Sequence, residues 1–162
     1  KEEFEEVLKI IKLLNLFKIE QIIIIPRHIH FSTKLKSMIE KQKTTKISVT
    51  EKFGENDFAY EYSKLTFMGG SLFKHGGQNP IEPLSKGCFV LSGQFINNFS
   101  EVYENLEDLS LAKVFKDNNS EEIASVIDKY IDLKFNNKTK IKDYFDINTK
   151  QLSLIIDKVK SC

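Results

Sequence analysis

The chain has 162 residues and 18.8 kDa, the size of one domain. Its 24 Lys and Arg nearly cancel 23 Asp and Glu, for a formal net charge of +1, so no whole-chain basic footprint argues for nucleic acid or an anionic membrane surface. With 41% hydrophobic residues it can bury a real core, which excludes a disordered tail, and two cysteines, Cys88 and Cys162, exclude a disulfide scaffold or an all-Cys zinc site and suit a reducing compartment.

The start, Lys1-Glu2-Glu3-Phe4, has no signal-peptide layout and no initiator Met, so the chain reads as a piece of something longer. Residues 2–16 form an amphipathic helix, with Phe4, Val7, Leu8, Ile11 and Leu14 inward at helical spacing. Ile22–Ile25 is a β-branched run, read as a strand buried on both faces and ended by Pro26. It is also the longest strong apolar run, far short of the ~18 residues a membrane span needs. A helix over 32–42 (Leu35, Met38 and Ile39 inward), a strand at Ile47–Thr50 and a helix over Phe53–Tyr62 follow. Leu65–Met68 is a third strand, stopped by Gly69-Gly70. Residues 80–86 make a short helix ended by Gly87. Cys88–Leu91 and Ala112–Phe115 are strands on either side of a helix over 99–107. A helix over Glu121–Leu133 is capped by Asn119, an Asn/Lys-rich loop spans Lys134–Lys140, and Ile141–Val159 is helical. Strand and helix alternate throughout, which predicts an α/β fold, a Rossmann-like parallel sheet with helices on both faces and a ligand site at the carboxyl ends of the strands.

The turns at that edge carry the chemistry. In His75–Pro83, two adjacent glycines let backbone approach a ligand. Asn79 can cap the next helix, Pro80 suits its first position, and Glu82 falls where a capping-box carboxylate belongs. Capping alone explains that pattern. Function adds that free amides and a helix dipole beside the glycines would hold an anion, and that Glu82 would suit the two hydroxyls of a ribose: together, a nucleotide site. Arg27, directly after the buried run, could pair with a phosphate. Gly54-Glu55 is a turn whose backbone could read a base edge. His28 and His30 are spaced as a metal pair, but nothing else supplies matching ligands, so no metal is expected. Ser71 is a turn residue before it is a nucleophile, and Cys88 is a small core hydrophobe. There is no GxGxxG, no Walker sequence and no GxSxG.

Phe67-Met68-Gly69-Gly70-Ser71-Leu72 followed by His75-Gly76-Gly77-Gln78-Asn79-Pro80-Ile81-Glu82-Pro83 resembles the hallmark of bacterial 3-deoxy-D-manno-octulosonic acid (Kdo) transferases. Ile25-Pro26-Arg27-His28 resembles that family's Pro-Arg-His segment, Phe53-Gly54-Glu55 with Tyr60 downstream its Met/Leu-Gly-Glu segment, and Gly93 with Asn98-Phe99 its later Gly and Asn-Phe turn. The resemblance runs from about residue 2 to about residue 130. Gln78 stands where the family usually has a second His, Phe53 where Met or Leu is usual, and Glu51-Lys52 in place of an acidic and Thr pair.

The resemblance implies the C-terminal domain of a two-domain GT-B glycosyltransferase. Such enzymes transfer Kdo from CMP-Kdo to a lipid A precursor in lipopolysaccharide assembly, at the cytoplasmic face of the inner membrane, with no cofactor and no obligatory metal. Residues 1–162 would be the single Rossmann-like nucleotide-sugar domain, itself soluble and without membrane contact. The N-terminal acceptor domain, with the catalytic carboxylate, would lie outside this chain. The donor-binding set implied is Pro26, Arg27, Phe53, Gly54, Glu55, Ser71, His75, Gly76, Gly77, Asn79, Pro80, Ile81 and Glu82, with His75 and its glycines facing the phosphate or the Kdo carboxylate. No catalytic residue and no nucleic-acid contact is expected here. The first strand of the domain should precede residues 2–16. In the usual strand order 3-2-1-4-5-6 its absence opens the middle of the sheet, and the gap is expected to close by pairing Ile22–Ile25 with Leu65–Met68 or to be filled from another chain. Two rival readings are a GT-B donor domain for a UDP-sugar and a non-catalytic α/β interaction domain that binds no nucleotide.

Overall fold

The computed structural model describes residues 2–40, 46–50, 56–132 and 137–160. The first helix, α1 (Glu2–Leu13), carries acids in its first turn and Lys12 in its last, both favourable with the helix dipole. Leu8, Ile10 and Ile11 are its buried residues. Ile10 was not in the inward set drawn from spacing, and the reason lies in two separate contacts. Ile10 packs with Leu72, Phe89, Leu91 and Ile123, whereas Leu8 and Ile11 pack with Ile39 and Ile47. One helix thus presents a wide stripe to two parts of the core.

Those parts belong to two parallel ladders. β1 (Ile22–Ile24) pairs with β2 (Ile47–Val49), Ile22 opposite Ile47. β3 (Leu65–Met68), β4 (Phe89–Ser92) and β5 (Ala112–Val114) form the second, with Leu65 opposite Phe89 and Val90 opposite Ala112. α2 (Ser32–Glu40) links β1 to β2 after a short 3-10 turn at Ile29–Phe31, and α3 (Asn56–Tyr62) precedes β3. α4 (Ile81–Ser85), α5 (Ser100–Asp108), α6 (Ser120–Asp132) and α7 (Lys138–Lys160) complete the chain.

The α/β alternation and the parallel pairing are as expected; the pairing of Ile22–Ile25 with Leu65–Met68, one of the two ways expected to close the sheet, and the double burial of that run are not seen. β1 does not pair with β3. Among the described residues β1 bonds β2 alone and β3 bonds β4 alone, and α1 bridges the two ladders in place of a continuous sheet. Nor is Ile22–Ile24 buried on both faces: all three residues are only half-buried, because an end strand with one neighbour is covered on one side. The doubly buried strand is β4, the middle one of its ladder, where all four residues are buried.

Local chemistry sets the ends. Gly87, at φ +96°, stops α4. The Asn119 carboxamide oxygen accepts from the amides of Glu121 (3.0 Å) and Glu122 (3.1 Å), the cap expected for α6. α7 begins at Lys138, inside the stretch read as a loop, and runs as one helix, with Ile141 buried against the β4–β5 side. Cys88 is 1% exposed and its thiol donates to the carbonyls of Tyr60 and Ser63, both at 3.3 Å. Burial pushes that thiol up, away from the thiolate, as befits a core residue.

Candidate functional site

The amino end of α1 locates the strand ends. Phe4 meets Phe31, in the turn after β1, with ring centroids 5.9 Å apart. The Glu3 carboxylate accepts from the backbone amides of Gly70 (2.9 Å), Ser71 (3.0 Å) and Leu72 (3.2 Å), just after β3. One helix end touches the turns that follow both β1 and β3, so both carboxyl ends open on the same edge.

At that edge the loops after β3 and β4 are clamped together. The Ser71 hydroxyl donates to the Met68 carbonyl (2.6 Å) and accepts from the Gly93 amide (2.8 Å), while the Phe95 amide donates to the Ser71 carbonyl (2.9 Å). Ser71 is completely buried. A Cβ on Gly93 would sit 2.4 Å from the Ser71 carbonyl oxygen, so only glycine lets the two loops approach this closely. With its hydroxyl, amide and carbonyl all engaged, Ser71 acts on the loop's shape. The three amides after β3 are likewise not free: a carboxylate of this chain already fills them, as an anion fills a nest.

The next stretch is a backbone arch, exposed at His75 and Asn79 and buried at Gly77. Gly76 and Gly77 have φ of +83° and +78°. The Gly77 amide donates to the Gly70 carbonyl (2.8 Å), and the Asn98 amide donates to the Gly76 carbonyl (3.1 Å). From below, the Tyr103 hydroxyl donates to the Gln78 carbonyl (3.2 Å). Tyr103 is completely buried, and burial is the main cause that pushes its hydroxyl up to about 12. The arch therefore rests on a rigid aromatic support.

The Asn79 side-chain oxygen accepts from the Ile81 amide at 3.0 Å, but from one residue before the cap, because Pro80, expected at the first helical position, stands at the cap position itself. Glu82 does not take the capping role expected of it, since Pro80 has no N–H for a carboxylate to return to. Glu82 is exposed instead, and its charge helps hold the Tyr60 hydroxyl up at about 12, after burial, the larger cause. Lys86 ties α4 to α3 through Glu61 (3.0 Å) and Asp57 (3.6 Å).

The other expected residues fall as follows. Pro26 is buried at the end of β1; Arg27 and His28 follow it, exposed, on the same edge. Phe53, Gly54 and Glu55 lie outside the described residues. The His28 and His30 rings stack with centroids 5.5 Å apart, and no group of three His, Cys, Asp or Glu able to hold a metal occurs among the described residues. A cleft of about 630 Å³ lies between the two loops, lined by Lys74, His75, Gly76, Gln94, Phe95, Asn97 and Asn98. Of these the sequence singled out His75 and Gly76, with the Asn98-Phe99 turn as a further signal, and missed Lys74, Gln94, Phe95 and Asn97. No helix among the described residues is long and apolar enough to cross a membrane.

No protein-family model matches the chain. It is 29% identical over 102 residues to a 3-deoxy-D-manno-octulosonic acid transferase of Haemophilus influenzae, covering 54% of this chain and 24% of that protein. It is 29% identical over 183 residues to a 3-deoxy-D-manno-octulosonic acid transferase of Rickettsia felis, covering 93% of this chain and 39% of that protein. The chain thus spans well under half the length of these relatives. The fold matches a crystal structure of the C-terminal CMP-Kdo binding domain of WaaA from Acinetobacter baumannii with a TM-score of 0.74 at 17% identity, over 90% of this chain and 82% of that one. In sequence this chain is thus similar to 3-deoxy-D-manno-octulosonic acid transferases, and in fold to the C-terminal CMP-Kdo binding domain of WaaA.

Proposed function

We propose that this chain is the donor-binding domain of a Kdo transferase and that it holds CMP-Kdo at the edge described above. One observation supports the reading most. The His75–Glu82 block folds as a backbone arch with two glycines at positive φ, and Glu82 stands exposed beside it with no cap to serve. A ribose would place its two hydroxyls on Glu82. The phosphate would take the amides of Gly76 and Gln78, which find no acceptor among the described residues, since those of Gly70–Leu72 belong to Glu3. Arg27 would reach it from the Pro26 turn, and Phe53, Gly54 and Glu55 would meet the base. Ser71 would serve by shaping the loop.

In the whole protein, a hydroxyl of a lipid A precursor would attack the anomeric carbon of Kdo. CMP would leave with the bonding electrons, and the hydroxyl proton would pass to a general base outside this chain. The work would be done at the cytoplasmic face of the inner membrane, in lipopolysaccharide assembly.

Calorimetric titration of the chain with CMP, UMP and AMP tests the reading. CMP is expected to bind best, at about 0.1–1 mM or roughly 4–5.5 kcal/mol. Glu82→Gln is expected to weaken CMP about tenfold by loss of a charged acceptor. Its melting temperature should match the parent's, since no cap bond is lost. A preference for UMP would point to a UDP-sugar enzyme, absence of all binding to an interaction domain, and full CMP affinity in Glu82→Gln would remove the ribose role.

A further inference from the structure

The arch between β3 and α4 is held peptide by peptide, and the holders differ in kind. The Gly76–Gly77 peptide is fixed by backbone on both sides, its carbonyl accepting from the Asn98 amide and its N–H donating to the Gly70 carbonyl. The Gln78–Asn79 peptide is not. Its N–H finds no acceptor among the described residues, and Pro80 beyond it has no N–H with which to anchor the chain. One side chain holds it: the Tyr103 hydroxyl of α5, donating to the Gln78 carbonyl at 3.2 Å. Tyr103 is completely buried, whereas Asn79 is exposed. No peptide bond among the described residues is cis, and in a trans peptide the carbonyl and the N–H point to opposite sides. A carbonyl drawn down to a buried phenol therefore turns the Asn79 N–H outward. A phenol has one proton to give. The Ser92 hydroxyl, fully buried at the end of β4, acts on the Tyr103 phenol so as to lower its pKa, against the larger effect of burial, yet it stands in no hydrogen-bond geometry with any partner among the described residues. The fold thus leaves a buried hydroxyl unmet and commits the phenol's proton to the arch.

We propose that Tyr103 is a positioning residue: through the Gln78 carbonyl it aims the Asn79 N–H at an oxyanion resting on the arch. The inference rests on the donor reading above, in which that oxyanion is the phosphate of CMP. It adds the Asn79 amide to those of Gly76 and Gln78, and it names the buried group that sets the direction of that amide without itself touching the ligand. The ring of Tyr103 packs with Leu84, Leu106 and Leu111. Without the hydroxyl the ring keeps that place, and the Gln78–Asn79 peptide is released to turn.

The test compares the parent chain with Tyr103→Phe and Tyr103→p-aminophenylalanine, titrated with CMP by calorimetry and with inorganic phosphate by backbone amide shifts. Phe removes only the hydroxyl, and the amine returns an N–H donor to the same place. Tyr103→Phe is expected to weaken CMP about fivefold, as the misalignment of one amide donor allows. The amine should restore affinity to within about twofold of the parent. Ile39→Val loosens the core on the β1–β2 side, away from the arch, and should bind CMP as the parent does, which separates aim from stability. Parent-like CMP binding by Tyr103→Phe would overturn the inference. So would a loss that the amine fails to restore, or an equal loss in Ile39→Val. If CMP fails to bind the parent, the donor reading falls and phosphate decides alone. A phosphate-induced shift of the Asn79 amide in the parent, lost in Tyr103→Phe and regained with the amine, upholds the positioning role; any other pattern overturns it.

Discussion

The Tyr103 hydroxyl is buried beneath the glycine arch and donates to the Gln78 carbonyl. Its pKa is raised to about 12 from an ordinary 10.0, and that of Tyr60 likewise, burial being the first cause in both. A phenol held protonated by the fold stabilises that fold fully below pH 10, and the contribution is lost as pH rises through 10 toward 12. Urea unfolding at pH 8, 10 and 11 is therefore expected to show falling stability over that window. Tyr103→Phe should cost about 0.5–1.5 kcal/mol at pH 8 through the lost bond. It should also flatten the decline between pH 10 and 11, because one of the raised phenols is gone; an unchanged slope would mean that Tyr103 does not titrate in this way. Ser71 is another residue whose meaning changes with its surroundings. Beside two glycines it has the look of a ligand contact, yet its hydroxyl joins the Met68 carbonyl to the Gly93 amide inside the molecule.

At the scale of elements, α1 does most to hold the site together. It packs on both ladders, its Glu6 accepts from the Lys9 ammonium (2.8 Å) and the Ser120 hydroxyl at the start of α6, and the Asn15 amide just beyond it donates to the Asp128 carboxylate of α6 (3.1 Å). The Lys9 bond is the first cause holding the Glu6 carboxyl below its ordinary value. Glu3 closes the arrangement by filling the three amides after β3. Glu3→Ala leaves those half-buried donors without an acceptor and should cost about 1–3 kcal/mol. The loss should appear as a lower urea midpoint at unchanged m-value. Full stability in this variant would show that water replaces the carboxylate at no cost.

For the molecule as a whole, the deciding fact is size. The chain spans 24% of one transferase relative and 39% of another. A glycosyl transfer between two substrates needs both held in line, with a base at the acceptor hydroxyl. The site proposed here would supply donor contacts on one wall. The purified chain, incubated with CMP-Kdo and a lipid A precursor and followed by mass spectrometry, is expected to give no product above the enzyme-free control. Turnover well above that control would place the general base within these 162 residues and overturn the division of labour proposed here.

Elements were legible in the sequence because their signals are local. The period of apolar residues gave helices and strands, Leu65–Met68 to the residue; Asn119 announced the start of α6, and Gly87 the end of α4. The His75–Pro83 block pointed to the family because glycines, Asn79 and Glu82 occur there in fixed order along one stretch. Tertiary structure decided what those signals cannot carry. Pro80 at the cap position released Glu82 from capping, since cap geometry depends on how the loop enters the helix. Burial of β1 depended on how many strands flank it, not on its three isoleucines. The loops after β3 and β4 meet closely at Gly93, where a Cβ would sit 2.4 Å from the Ser71 carbonyl oxygen. The Gly70 amide found its acceptor in Glu3, 67 residues earlier in the chain. Spacing along a chain sets which residues share a face over a few turns; which carboxylate reaches which amide across such a separation is settled only when the helices pack.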